Sequence, residues 1–280
     1  MNYSEFEYLI DKIKKEPFIH SPFSHLEIKN FLSEEHLEMI LHEKQIHFEK
    51  TNNHEHLYKT LQNKEWSILH FPGCTNKWSD YMKYVNNKTI QKDKKKNPIE
   101  NIGITFRLNK YKNPKIKALI QFMNGKEFHD ALKEKFEIKD VTSIISAIQK
   151  NLTGYEISPH PDKRSKALTY LLNINCDPEI EKMNCHTHLL EFKPEYKKIE
   201  KYWATEPNIE RCWVPWEWCT SKKTTNDNNS LLIFKPQSEP SSLHAIILDY
   251  DHLKFQRTQI YGNLMYDSNK EYINSSYRDL

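Results

Sequence analysis

Apolar positions in the first hundred residues fall at helical spacing between irregular polar stretches. Phe18–Phe31 (FIHSPFSHLEIKNF) reads as a short strand followed by a turn. Ser33 then stands where a helix N-cap is wanted, with Glu34 and Glu35 on the positive end of the helix dipole. Leu37, Ile40 and Leu41 follow at i, i+3 and i+4, one stripe turned inward. After Ile99 the pattern shortens to β-rich runs, at Ile102–Leu108, Ser143–Asn151, Tyr155–Ser158, Ala167–Asn175, Thr187–Phe192, Leu231–Lys235, His244–Leu248 and Thr258–Tyr266. Two helical segments are expected among them: Lys126–Phe136, where Phe128, Leu132 and Phe136 are four apart, and Pro194–Trp203. Many short strands with turn-rich separators point to a sandwich or barrel. No internal repeat is visible. The expected organisation is a single α+β domain over 1–280, with a mainly helical N-terminal layer (1–100) packed on a β-barrel core (101–266).

Composition narrows the class. The mean hydropathy is −0.82 and only 38% of residues are hydrophobic, yet 6 Trp, 15 Tyr and 13 Phe supply bulk for a core. Disorder throughout is excluded, and no apolar run approaches the roughly 20 residues needed to span a bilayer. A net charge of +3 gives no argument for a nucleic-acid partner. The five cysteines form no CxxC and the N-terminus lacks a secretory pattern, so a reducing, cytoplasmic setting is expected. The lysine-rich stretch Lys88–Lys96 reads as a solvated loop, with an electrostatic arm as the alternative. Arginine is scarce, present only at 107, 164, 211, 257 and 278. Each therefore poses its own question, because arginine rather than lysine suits bidentate recognition of a carboxylate.

Chemistry gathers in two places. In Glu156-Ile-Ser-Pro-His160-Pro161-Asp162, residues two apart on a strand project to one face, so His160 and Asp162 can offer an imidazole and a carboxylate together. Alone that motif is common by chance. His244 opens a later β run, and Arg257 follows it thirteen residues on. Two histidines and one carboxylate make the facial triad of non-haem iron(II) sites, which leaves three metal positions open. A neighbouring arginine can pair with the far carboxylate of a chelating diacid.

With these residues the chain resembles the iron(II)- and 2-oxoglutarate-dependent oxygenases. The likeness rests on HPD at 160–162, His244, Arg257 and the order of strands between them, and it extends upstream to the strand-then-helix opening around Phe23–Ser33. The phrases EISPHPDKRSKALTYLLNIN and YGNLMY look closest to a loosely characterised microbial and phage branch. The resemblance implies a double-stranded β-helix, or jelly-roll, and Fe(2+) held by His160, Asp162 and His244. It further implies 2-oxoglutarate anchored by Arg257, with Thr258 or Tyr170 as hydroxyl donors, and O2 as oxidant. The implied reaction hydroxylates a C–H bond with release of succinate and CO2. Asp162 stands where a halogenase would have glycine or alanine. Asn263 stands where the nucleic-acid demethylases carry a second arginine, so a base-repair role is not expected.

A small metabolite is the expected substrate, with no nucleic acid and no membrane as partner. Arg107, Arg164 and Trp216 are candidate substrate contacts, and Arg211 is a further candidate for an anionic group. The cluster Trp213–Trp218 is either a packed lid or a pocket wall. Two other functions compete: an oxygenase acting on a protein side chain or polysaccharide, and a jelly-roll that binds without catalysis. Cys185, His186 and His188 with Cys212 and Cys219 could be imagined as a zinc site, but their spacing matches no common zinc module.

Overall fold

The ten-residue run Arg257–Tyr266 becomes the central strand of the larger of two antiparallel sheets. The computed structural model describes residues 3–70, 75–87, 98, 103–175, 177–183, 185–248, 254, 256–268 and 270–280. The stretch Lys88–Lys96 lies outside them. In chain order the strands are β1 (His25–Ile28), β2 (Trp66–Ile68), β3 (Thr105–Leu108), β4 (Thr142–Asn151), β5 (Glu156–His160) and β6 (Lys166–Asn173). They continue with β7 (Thr187–Phe192), β8 (Cys219–Thr225), β9 (Leu231–Phe234), β10 (His244–Ile247) and β11 (Arg257–Tyr266). The seven-stranded sheet has the order β1-β9-β6-β11-β4-β3-β2, and the four-stranded sheet β5-β10-β7-β8.

Four α-helices lie among the described residues of the first hundred, at Glu7–Lys15, Glu34–Leu41, His54–Asn63 and Trp78–Val85. Ser33 caps the second of these as its sequence predicts, its hydroxyl accepting from the His36 amide. The buried face there is His36 and Ile40, with Leu37 at the edge of the core. Both outermost strands of the larger sheet, β1 and β2, also come from this N-terminal region. The helix Pro114–Met123 was not expected, although Asn113 caps it through the Lys115 and Ile116 amides and a proline occupies its first turn. Nor was β8, whose CTSKKTT is mostly exposed because it is an edge strand paired only with β7. No helix among the described residues is long and apolar enough to cross a membrane.

Strand alternation divides the larger sheet into two chemistries. On one face Ile148, Leu168, Tyr170, Leu172, Ile260 and Leu264 pack into the main core beneath the helices. On the other, the odd-numbered residues of β11 line a cavity that residues of the smaller sheet also line. Gly262 shows how tightly the core face is filled. It lies opposite Tyr170 in the β11–β6 pairing, and a Cβ there would fall 2.0 Å from the Tyr170 ring. Tyr170 is fully buried and its hydroxyl bonds that of Ser146, so the ring cannot swing aside. Gly262→Ala is therefore expected to destabilise the fold by about 1–3 kcal/mol, read as a shift in denaturant midpoint. Adding Tyr170→Leu is expected to recover part of that loss; equal stability of Gly262→Ala and the native chain would contradict this packing.

Candidate metal centre and cavity

His160 ends β5 and His244 opens β10, and the antiparallel register sets the two opposite each other with ring centroids 4.3 Å apart. Asp162 reaches them by a route the strand argument did not foresee. The strand stops at His160, and after Pro161 the chain turns with Asp162 at φ 63°, in the left-handed region. Aspartate tolerates that region better than most residues, and such backbone collects at functional sites. His160, Asp162 and His244 are all buried, and one ligand atom from each lies within 4.8 Å of the others. Among the described residues no other group of three or more His, Cys, Asp or Glu gathers this way, and the cysteine–histidine set near 185–188 does not.

Hydrogen bonding fixes which nitrogen each imidazole presents. His160 Nδ1 lies 2.8 Å from the Ser158 carbonyl, and His244 Nδ1 lies 3.0 Å from the Ser242 carbonyl. Each Nδ1 donates there, so in the neutral imidazole each Nε2 is a bare acceptor. Both Nε2 atoms face Asp162, His160 Nε2 at 3.7 Å from Oδ1 and His244 Nε2 at 3.7 Å from Oδ2. Three acceptors converging without a proton between them are the arrangement a cation resolves. Burial and the neighbouring His160 lower the His244 pKa to about 3, so its imidazole is neutral at physiological pH, as a ligand must be.

Two side chains steady the carboxylate. Lys166 Nζ donates to Asp162 Oδ1 at 2.5 Å, and Thr169 Oγ1 donates to Oδ2 at 2.6 Å. Burial alone would raise the Asp162 pKa, but the Lys166 ammonium, foremost among its neighbours, outweighs it and holds the group well below the usual carboxylate range. Lys166 also donates to the Tyr261 hydroxyl at 3.1 Å. Sequence reasoning missed Lys166 and Thr169. Both follow Asp162 closely, and Thr169 could have been found from its place on β6, out of phase with core-facing Leu168 and Tyr170.

The triad opens into a cavity of about 500 Å³ between the two sheets. On its floor, paired residues of neighbouring strands make a polar grid. Thr105, Asn151 and Arg257 form one row, and Arg107, Gln149 and Gln259 the next. Arg257 is 4% exposed and donates to Asn151 Oδ1 (3.2 Å) and Thr187 Oγ1 (2.6 Å), while its Nε has no partner. Burial lowers its pKa to about 10. A cation kept in the interior with neutral partners has spare capacity for an anion.

The remaining candidates divide. Arg107 and Arg211 line the cavity. Thr258 and Tyr170, expected as hydroxyl donors to the co-substrate, do not: they occupy the opposite face of the sheet. Thr258 Oγ1 accepts from Lys150 Nζ at 2.7 Å, and Tyr170 bonds Ser146. With Arg257 facing inward, alternation excludes Thr258 at once. The hydroxyls that do line the cavity near Arg257 include Thr187, its hydrogen-bond partner, and Tyr155, whose pKa is pushed up to about 12 by burial. Arg164 is likewise corrected. Its guanidinium is spent on the carbonyls of Ile209 (2.7 Å) and Trp203 (2.6 Å), clamping the segment after the helix Lys198–Thr205. Trp216 is outside the cavity, donating to Glu156 Oε1 at 2.9 Å; the wall residue of that cluster is Trp213, stacked 5.9 Å from His160.

No family model and no curated protein matches the sequence. Among solved structures, the chain is similar to a Pseudomonas putida prolyl-4-hydroxylase at TM-score 0.46 and 7% identity, covering 93% of this chain and 98% of that one. A prolyl hydroxylase from Trichoplax adhaerens, solved with a peptide of hypoxia-inducible factor, overlaps at TM-score 0.43 and 10% identity, covering 95% and 91%. A Burkholderia pseudomallei oxidoreductase of the 2OG-Fe(II) oxygenase family overlaps at TM-score 0.33 and 8% identity, covering 82% and 98%. The structural likeness is to oxygenases. All three overlaps fall below a TM-score of 0.5, so the functional reading has to stand on this chain's own residues.

Proposed function

We propose that this protein is an iron(II)- and 2-oxoglutarate-dependent oxygenase, built on a jelly-roll core, that hydroxylates a C–H bond of a small molecule. The observation that supports it most is the convergence of two Nε2 atoms and one carboxylate at 3.7 Å, inside a cavity that also holds a buried arginine with no acid bonded to it among the described residues. Two nitrogens and one oxygen are a donor set suited to ferrous iron, with three positions left for ligands.

His160, His244 and Asp162 would hold the metal, and their carbonyl, lysine and threonine partners orient them before it arrives. Arg257, set in place by Asn151 and Thr187, would pair with the far carboxylate of 2-oxoglutarate, with the Tyr155 hydroxyl close by. Bound iron supplies activation of O2, coupled to oxidative decarboxylation of 2-oxoglutarate to succinate and CO2 as the substrate C–H becomes C–OH. Trp213, Leu171 and Ile246 give the cavity an apolar wall beside these groups. About 500 Å³ accommodates a metabolite beside the co-substrate, which favours a small molecule.

Anaerobic addition of Fe(II) and then 2-oxoglutarate is expected to produce a weak visible charge-transfer band, and admission of O2 to produce succinate. Absence of both, with His160→Ala indistinguishable from the native chain, would end the proposal.

A further inference from the structure

Cationic side chains outnumber acidic ones in the cavity beyond what its proposed contents require. Among the described residues, Arg107, Lys163, Lys166, Arg211 and Arg257 line it, against the single carboxylate of Asp162. Lys166 is paired with that carboxylate. A ferrous ion brings two positive charges and 2-oxoglutarate two negative ones, so loading the site leaves the surplus in place. Arg257 would be taken by the co-substrate; Arg107 and Arg211 would not.

Neither of these two guanidinium groups makes a hydrogen bond or an ion pair with a described residue, and each has a buried Nε without a partner. Arg211 is only 5% exposed. The acids and phenols around them are otherwise engaged or neutral. Glu210 Oε1 accepts from the backbone amides of Arg164 and Arg211, each at 3.0 Å. Tyr261, beside Arg107, bonds Lys166 and Asn263 through its hydroxyl. Burying a cation without a direct ion-pair partner is costly, and burial lowers the pKa of both. In a chain with five arginines, three line this one cavity.

Their positions suit a substrate rather than the co-substrate. Arg211 lies two residues before Trp213, which stacks on His160, and Asp162 is among the charges that act on it. Arg107 reaches the cavity from β3, two strands from Arg257 across the grid, and is near Tyr261, which touches Lys166 and through it Asp162. Resting on the oxygenase reading above, we infer that the substrate bears an oxyanion, a carboxylate or a phosphate, which Arg107 and Arg211 recognise and which sets the substrate against the metal. Guanidinium groups pair with either oxyanion in planar, two-point fashion.

The test uses full-length protein loaded with Zn(II) and 2-oxoglutarate, so that Arg257 is engaged and no turnover occurs. Pentanoate, butyl phosphate and the neutral pentanamide are titrated calorimetrically. At least one of the two anions is expected to bind ten-fold or more tighter than the amide, and the tighter one identifies the oxyanion. Arg107→Gln and Arg211→Gln are each expected to weaken the anion about ten-fold while leaving the amide unchanged, and Arg211→Lys to lose less than Arg211→Gln. Equal binding of acid and amide by the native protein, a comparison that needs no variant, would overturn the inference, as would anion binding indifferent to both substitutions. Metal and 2-oxoglutarate retention are measured on the same samples. If they fail, the oxygenase reading fails, and the titrations repeated on unloaded Arg257→Gln protein still decide whether Arg107 and Arg211 select anions.

Discussion

Replacing Asp162 by alanine is expected to abolish iron retention and, separately, to cost the metal-free fold about 3–5 kcal/mol, the usual penalty for leaving one member of a buried ion pair alone. Both consequences come from the same carboxylate. Its oxygens face two bare imidazole nitrogens at 3.7 Å, and one of them also accepts from Lys166. The Lys166 side chain is 19% exposed, so water cannot fully replace the lost partner. The double variant Asp162→Ala/Lys166→Met separates the two roles: stability is expected to return while iron retention does not. Denaturant midpoints and metal content after anaerobic dialysis read the two outcomes, and succinate formation is expected to fall by more than about 100-fold, the loss that mere outer-shell changes already produce. A single variant that keeps its iron would reduce the cluster to a structural ion pair. The pH dependence has a definite sign. Because the folded carboxylate is held below its ordinary range, its stabilising contribution is complete above about pH 4 and disappears as pH falls toward the lower folded value.

The legible part of this site was the part written as residue type and spacing. His160, His244 and Arg257 each stand at a strand end, and those strands appear within two residues of the expected runs, although the runs over 155–158 and 258–266 stopped short of His160 and Arg257. Asp162 was found for a reason only half right, since its side chain is delivered by a left-handed turn rather than by strand alternation. The errors came from proximity in sequence standing in for direction in space. Thr258 neighbours Arg257 and Tyr170 neighbours Thr169, yet a one-residue step on a strand is a change of face. Trp216 and Arg164 failed differently. Their partners, Glu156 and the carbonyls near 203–209, are about 40 to 60 residues away and become partners only once the chain is folded. The surplus of positive charge in the cavity was hidden for the same reason, being spread over β3, the 162–166 turn, the segment around Arg211 and β11.

Arg257→Gln is expected to weaken 2-oxoglutarate binding by about two orders of magnitude, while the metal-free protein stays as stable as the native chain or gains stability. The first effect is the loss of a charge-assisted, two-point contact with a carboxylate; such bonds contribute about 1.5–3 kcal/mol each, and about 2.7 kcal/mol is a hundred-fold in affinity. The second effect runs against the intuition that a buried, hydrogen-bonded side chain supports the fold. Arg257 is held at 4% exposure with an amide and a hydroxyl as partners rather than an acid, and burial has already lowered its pKa to about 10. The empty fold therefore carries a cation without an ion-pair partner among the described residues, which glutamine, able to keep one of the two hydrogen bonds, would remove. One set of unfolding curves tests both halves. With Zn(II) bound, 2-oxoglutarate at a hundred times its dissociation constant is expected to stabilise the native protein by about 2.7 kcal/mol, and the variant at the same concentration by less than about 0.5 kcal/mol. A variant that lost stability in the metal-free state yet responded to 2-oxoglutarate as the native chain does would make Arg257 a structural residue and place the co-substrate carboxylate elsewhere in the cavity. The arrangement expected instead is a binding group whose cost to the empty fold is recovered only when its anion arrives.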